Sequence, residues 1–157
     1  MLFKFKKDVL KFSYNLSRFI LILFSIFILF TGGILYLFFR PHNLEMFYWL
    51  RFIGCEKFFR EHTYNSNSSI VSFSIFSLPN GLWLLSAVIF LGLIWKKRNL
   101  IFYIYALLFV IISLAFELFQ LLRIIPGTFD FLDIITLVIS FLLGIIIYHL
   151  IIQRYLV

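Results

Sequence analysis

Residues 19–39 read FILILFSIFILFTGGILYLFF, with no charge between Arg18 and Arg40. Spanning the hydrocarbon core of a bilayer takes about 20 apolar residues in a helix. This run reaches that length. Lys4, Lys6, Lys7, Lys11 and Arg18 precede it, so a signal peptide is the first alternative. The run is too long for a signal core, and Arg40-Pro41 follows it in place of a small-residue cleavage site. It reads as an uncleaved membrane anchor, and Gly32 and Gly33 within it permit close helix packing.

The composition of the whole chain agrees. Of 157 residues, 63% are hydrophobic and 13% charged, 23 are Phe, and mean hydropathy is +1.05. A soluble domain is about half apolar and about a quarter charged. A soluble globule of this size has no interior large enough for so much apolar surface. A soluble enzyme, a disordered chain and a disulfide scaffold are therefore excluded. The expected fold is all-α: one polytopic membrane domain, residues 1–157, with four transmembrane helices in a small bundle.

The other spans follow from the same reading. The second is short, with only 13 residues from Trp83 to Trp95. It must begin near residue 76, with Pro79 in its first turn, where proline is tolerated. Trp83 and Trp95 then fall near opposite interfaces. The third span is 100–122 and the fourth 131–152, joined by a turn at Pro126-Gly127-Thr128. Residues 40–75 form an outer loop, a polar connection over 40–69. Within it, 44–59 reads as an amphipathic interfacial helix and Asn65–Ser69 as a flexible loop. Asn67-Ser68-Ser69 also matches a glycosylation sequon, relevant only in a eukaryote.

The net charge of +7 belongs to this topology and not to nucleic acid. With the N-terminus inside, nine basic residues lie on the inner side: Lys4, Lys6, Lys7, Lys11, Arg18, Lys96, Lys97, Arg98 and Arg154. Five lie outside: Arg40, Arg51, Lys57, Arg60 and Arg123. Both termini are expected in the cytoplasm. Every acid except Asp8 then lies on or near the outer side. The lone cysteine, Cys55, forms no intrachain disulfide, and no Cys/His cluster has zinc spacing.

Glu117 carries most of the functional information. It sits about 8 Å inside the third span at 1.5 Å per residue. An acid at mid-membrane costs about 2.5–3.5 kcal/mol, less near the edge, so something must offset it. Gln120, at i+3, shares its face. Two roles fit: a substrate, proton or cation site, or an interhelical hydrogen bond that holds the bundle. Asp130 and Asp133 open the fourth span. Asp130 is a good N-cap and Asp133 can complete a capping box. The short turn also brings both near Glu117 and Gln120. Three carboxylates and an amide could hold a divalent cation, an amine or sugar hydroxyls, or act as acid and base. Arg123 is placed to neutralise one of them. Asn80 and Trp83, at i and i+3 in the Ser77–Trp83 stretch, could line the same site, although Pro-Asn-Gly is also ordinary turn chemistry. His149 reads as structural, and His42 and His62 have no partner pattern. No nucleophile elbow, phosphate loop or HExxH is present, so no reaction is legible and no cofactor is implied.

Glu117-Leu118-Phe119-Gln120, then Phe129-Asp130-Phe131-Leu132-Asp133, then Gly144, resembles the VanZ-like membrane proteins. Their pattern is an acid and a glutamine on one helix, a short turn, and two aspartates opening a glycine-bearing helix. The resemblance covers about residues 117–144 and extends loosely back to Ser77–Trp83. It departs at Leu137, Ser140 and Gly127, where the family usually carries asparagine, glycine and arginine. The family is named for low-level resistance to teicoplanin, a glycopeptide antibiotic. The resemblance implies a multi-pass protein of the bacterial plasma membrane and cell envelope, without specifying a reaction. The expected ligand is a lipid-linked saccharide, glycopeptide or similar amphiphile among the membrane lipids. The alternatives are a metal-assisted enzyme acting on a lipid head group, and a structural subunit with a protein partner or a second copy of itself.

Overall fold

The computed structural model describes residues 2–39, 45–54, 69–95, 100–125 and 129–153. All regular elements among them are helices: α1 Leu2–Phe39, α2 Glu45–Phe52, α3 Ser69–Phe76, α4 Leu78–Ile94, α5 Leu100–Leu121 and α6 Phe131–Ile147, which continues as a π-helical turn over Tyr148–Gln153. Three stretches are long and apolar enough to cross a membrane: Tyr14–Phe39, Leu100–Leu121 and Phe131–Ile151. Their outer surfaces expose large apolar side chains such as Phe27, Phe30, Ile104, Phe116 and Leu142. These are the features of a membrane protein, since water would not tolerate apolar patches of that extent.

These three stretches fall on the first, third and fourth apolar runs of the sequence, and α1 extends back through the basic segment to Leu2. Of the interfacial helix expected over 44–59, Glu45–Phe52 is helical and ends in a turn at Gly54, whose φ of 77° suits a residue without a side chain. Residues 55–59 lie outside the described residues. So do Asn65–Ser68, Pro126–Thr128, His42 and His62, while Ser69 begins α3.

The short helix is the hub. α4 has 17 residues, too few on its own for the candidate spans, yet it packs against α1 and α6 more extensively than any other pair packs. It is buried on several sides, through Leu84, Val88, Ile89 and Leu93 among others. α3 precedes it with one break, at Ser77. Pro79 has no N–H to donate to the carbonyl of Ile75, and its ring crowds that carbonyl. The backbone there stays near-helical, since Ser77 N–H still donates to Phe73 O at 3.0 Å.

Close approach, not hydrophobicity, holds helices together in lipid, because lipid tails are as apolar as leucine. The α4–α6 contact follows that rule. A Cβ added at Gly81 would come within 2.4 Å of Thr136 Cγ2 and 2.6 Å of Ser140 Oγ. One added at Gly144 would come within 2.6 Å of Val88 Cγ1. Thr136, Ser140 and Gly144, at steps of four, form a small-residue stripe on α6. On the opposite side of α4, Ser86 Oγ donates to Ser25 O at 2.8 Å and Ser25 Oγ donates to Ser86 O at 3.0 Å.

These contacts set directions. Gly81 meets Thr136 and Ser140, and Val88 meets Gly144, so α4 and α6 run parallel. Ser25 meets Ser86 and Gly32 meets Trp83, so α1 is antiparallel to α4. Phe102 stacks on Tyr148 with centroids 3.7 Å apart, at the start of α5 and the end of α6, so these two are antiparallel as well.

Candidate functional site

The register of these helices brings three buried polar residues to one height. Eleven residues back from Val88 on α4 is Ser77, and eleven residues back from its partner Gly144 on α6 is Asp133. Fifteen residues on from Phe102 along α5 is Glu117, and fifteen residues back from its partner Tyr148 is again Asp133. At equal rise per residue, Ser77, Glu117 and Asp133 stand level.

They also lie on inward faces. On α5 the buried residues Phe102, Ala106, Val110 and Glu117 follow steps of four, four and seven, a single stripe. On α6 the buried residues include Asp133, Leu137, Ser140 and Gly144, again one stripe. On α4, Ser77 precedes Gly81 by one turn on the face that meets α6. Glu117 and Asp133 are each 4% exposed and Ser77 is 0% exposed.

Ser77 is exceptional among the hydroxyls. Thr31, Ser113 and Thr136 each donate to the carbonyl four residues back, at 2.7–2.9 Å. Ser25 and Ser86 satisfy each other. Ser77 Oγ has no hydrogen-bond partner among the described residues. A buried polar group left so costs about 1–3 kcal/mol, and a native structure keeps one for a reason.

The other expected site residues are placed as follows. Asp130 is the N-cap of α6: its backbone is extended, and its Oδ1 accepts from Leu132 N–H at 2.9 Å. It is half-buried at the rim and serves as the cap that its sequence position indicates. Gln120 is half-buried one turn beyond Glu117, and its carbonyl accepts from Arg123 N–H at 3.0 Å. Arg123 has φ 57° and is exposed. With Ile124 N–H donating to Phe119 O at 2.9 Å, it forms the left-handed C-cap of α5. Arg123 is thus at the surface, whereas Glu117 and Asp133 are buried and Asp130 is half-buried at the rim. Trp83 is half-buried and turns towards α1. Its indole lies against Gly32 and its ring is 5.3 Å from that of Tyr36. Asn80, half-buried, shares the Trp83 side of α4.

Of the three expected carboxylates, Glu117 and Asp133 are interior and Asp130 is half-buried at the start of α6. Among the described residues, no three His, Cys, Asp or Glu side chains are grouped to hold a metal ion. What remains is a layer of two carboxylates and one hydroxyl at one end of an apolar bundle. Such a layer suits a group rich in donors: an ammonium, sugar hydroxyls or a mobile proton. Sequence alone does not single out Ser77, because a serine two residues before a proline looks like turn chemistry. The small-residue stripe of α6 is missed as well, and its spacing of four in the sequence is the signal that could have found it. At the other end, Tyr103 Oη lies 3.1 Å from His149 Nε2 amid the stacked rings of Phe102 and Tyr148, a structural setting for that histidine. No family model, curated protein or solved structure matches the chain.

Proposed function

We propose that this is a VanZ-like protein of the bacterial plasma membrane that binds the polar head of an envelope amphiphile, such as a lipid-linked saccharide or glycopeptide, at the Ser77–Glu117–Asp133 layer. In this reading α4, extended by α3, completes a fourth crossing. Both termini are cytoplasmic, as the nine-to-five distribution of basic residues favours. The layer then lies at the outer end of the bundle. Glu117 is the central acceptor, Gln120 orients it, and Asp133 and Ser77 take further hydroxyl or amine contacts. Asp130 and Arg123 frame the rim.

The observation that carries the reading is the orphaned Ser77 hydroxyl, fully buried at the height of two buried acids. A bundle held only by helix-to-helix hydrogen bonds has no use for it. Retention of lipid by the purified protein tests the reading. Protein reconstituted with a bacterial polar-lipid extract is returned to mild detergent and weighed by native mass spectrometry. Wild type should retain an adduct that Glu117→Gln loses, with thermal stability unchanged or raised. Equal adducts in both proteins, with a large loss of stability in Glu117→Gln, would show that the carboxylate only ties helices together.

A further inference from the structure

α1 and α5 both lean on α4, and between them lies a groove of about 450 Å³ lined by Ser25 and Leu29 of α1, Trp83, Ala87 and Phe90 of α4, and Phe109 of α5. We propose that this groove is a hydrocarbon-chain site, holding one chain of the amphiphile whose head reaches the Ser77–Glu117–Asp133 layer. The chain site rests on the membrane-spanning reading above, and its link to the head group rests on the binding reading.

Three observations commit the groove to a chain. The first is its chemistry. Its polar lining consists of Ser25, Ser86 and the Trp83 indole N–H, and the two hydroxyls are engaged with each other's carbonyls across α1 and α4. The lining holds no charged group and is otherwise apolar apart from one indole N–H, and burying an unmatched polar group there would be costly. The second is its position. Leu29, Phe90 and Phe109 are exposed at its rim, on the same apolar surface that faces lipid elsewhere on the spans. The groove is therefore entered sideways from the bilayer. It runs along α4 from Trp83 to Leu91, about 12 Å at 1.5 Å per residue, which suits an extended chain better than a whole helix.

The third observation is a gradient of polarity. On α4, Asn80, Trp83, Ala87 and Phe90 form one stripe at steps of three, four and three, with Asn80 at the end nearer Ser77. On α5, Phe109, Ser113 and Glu117 follow at steps of four, leading from the groove to the acid layer. Both helices change from hydrocarbon to acceptor in the same direction. An amphiphile has that order of parts: a chain, a neutral junction and a donor-bearing head. Asn80 stands where the junction falls.

Trp83 makes the groove directly measurable. The full chain with Trp49→Phe and Trp95→Phe leaves Trp83 as the sole indole. This protein is placed in phosphatidylcholine nanodiscs containing a minor fraction of lipid brominated along its chain, since bromine quenches an indole it touches. The expected result is quenching of Trp83 that saturates at a low brominated fraction and is stronger for bromines deep in the chain than near the head. Ala87→Phe, which fills the groove, should remove the saturable part. Ile139→Phe, exposed on α6 away from the groove, should leave it unchanged. The wild-type saturation curve stands even where Ala87→Phe fails to fold.

Quenching strictly proportional to brominated fraction would overturn the proposal. So would a Trp83 shielded from bromine in a stable dimer that Ala87→Phe splits, because the occupant would then be a second copy. Adding Glu117→Gln separates the two readings. Weakened saturable quenching supports a single ligand with its head at the acids. Unchanged saturable quenching keeps the chain site and sinks the head-group reading alone.

Discussion

Ser25 and Ser86 exchange hydrogen bonds, each hydroxyl donating to the other's backbone carbonyl at 3.0 and 2.8 Å. Such an exchange requires the α1 and α4 backbones to pass close together. It is a direct polar contact between the anchor helix and the hub. Hydrogen bonds between membrane helices average about 0.6 kcal/mol in double-mutant cycles, so Ser25→Ala should cost little. Ser86→Leu should cost far more, because the added bulk forces the backbones apart. Denaturation of both variants in the same bicelles checks the ranking.

Gly144 and Val88 make a sharper test of packing. A methyl added at Gly144 would stand 2.6 Å from Val88 Cγ1, closer than real carbons approach. Gly144→Ala should destabilise by about 1–3 kcal/mol, the usual range for overpacking. Val88→Ala in the same protein should recover most of that loss. Failure to recover would place the strain elsewhere and weaken the α4–α6 register on which the polar layer depends.

Ser77→Ala separates a working hydroxyl from a structural one. The hydroxyl is buried and has no hydrogen-bond partner among the described residues. Its removal should therefore be neutral, or stabilise by up to about 1–3 kcal/mol. The same substitution should reduce retention of the lipid adduct. A clear loss of stability would mean that Ser77 serves the α3–α4 break itself.

Arg123 occupies a left-handed conformation that costs an ordinary residue about 1–2 kcal/mol. Glycine is the common choice at this helix end. Arg123→Gly should raise the melting temperature if the arginine only closes α5. A fall would give its guanidinium a role that its exposed position does not suggest.

Topology can be read with the chain's own probe. Cys55 is the single cysteine, in the connection proposed to lie outside the cell. A membrane-impermeant maleimide should label it in intact bacterial cells expressing the protein, with the outer membrane permeabilised where one is present. Labelling only after the plasma membrane is broken would invert the proposed orientation, and the acid layer would then face the cytoplasm.

Much of the fold was legible because lipid imposes a simple rule. A backbone in hydrocarbon must satisfy its own hydrogen bonds, so long apolar runs become helices wherever they occur. That rule places 19–39, 100–122 and 131–152 without reference to packing. Local chemistry added the cap at Asp130 and the tolerance of Pro79 in a first turn. Glu117 stood out because a carboxylate among apolar residues needs a reason to be there.

The roles of α4, Trp83 and Ser77 were not legible in the same way. Hydropathy records how a segment partitions and says nothing of which face meets which neighbour. The segment with the weakest span signal became the hub because its small residues let α6 approach on one side and its Ser86 engaged α1 on the other. Trp83 packs against Gly32 of α1 and lines the groove, which its spacing from Asn80 does not show. Composition and periodicity determined that this chain is a set of apolar helices with a few acids at one end. Only the tertiary structure decided that Ser77, Glu117 and Asp133 share a height, because that depends on register, and register is set by a few close contacts such as Gly144 on Val88 and Phe102 on Tyr148.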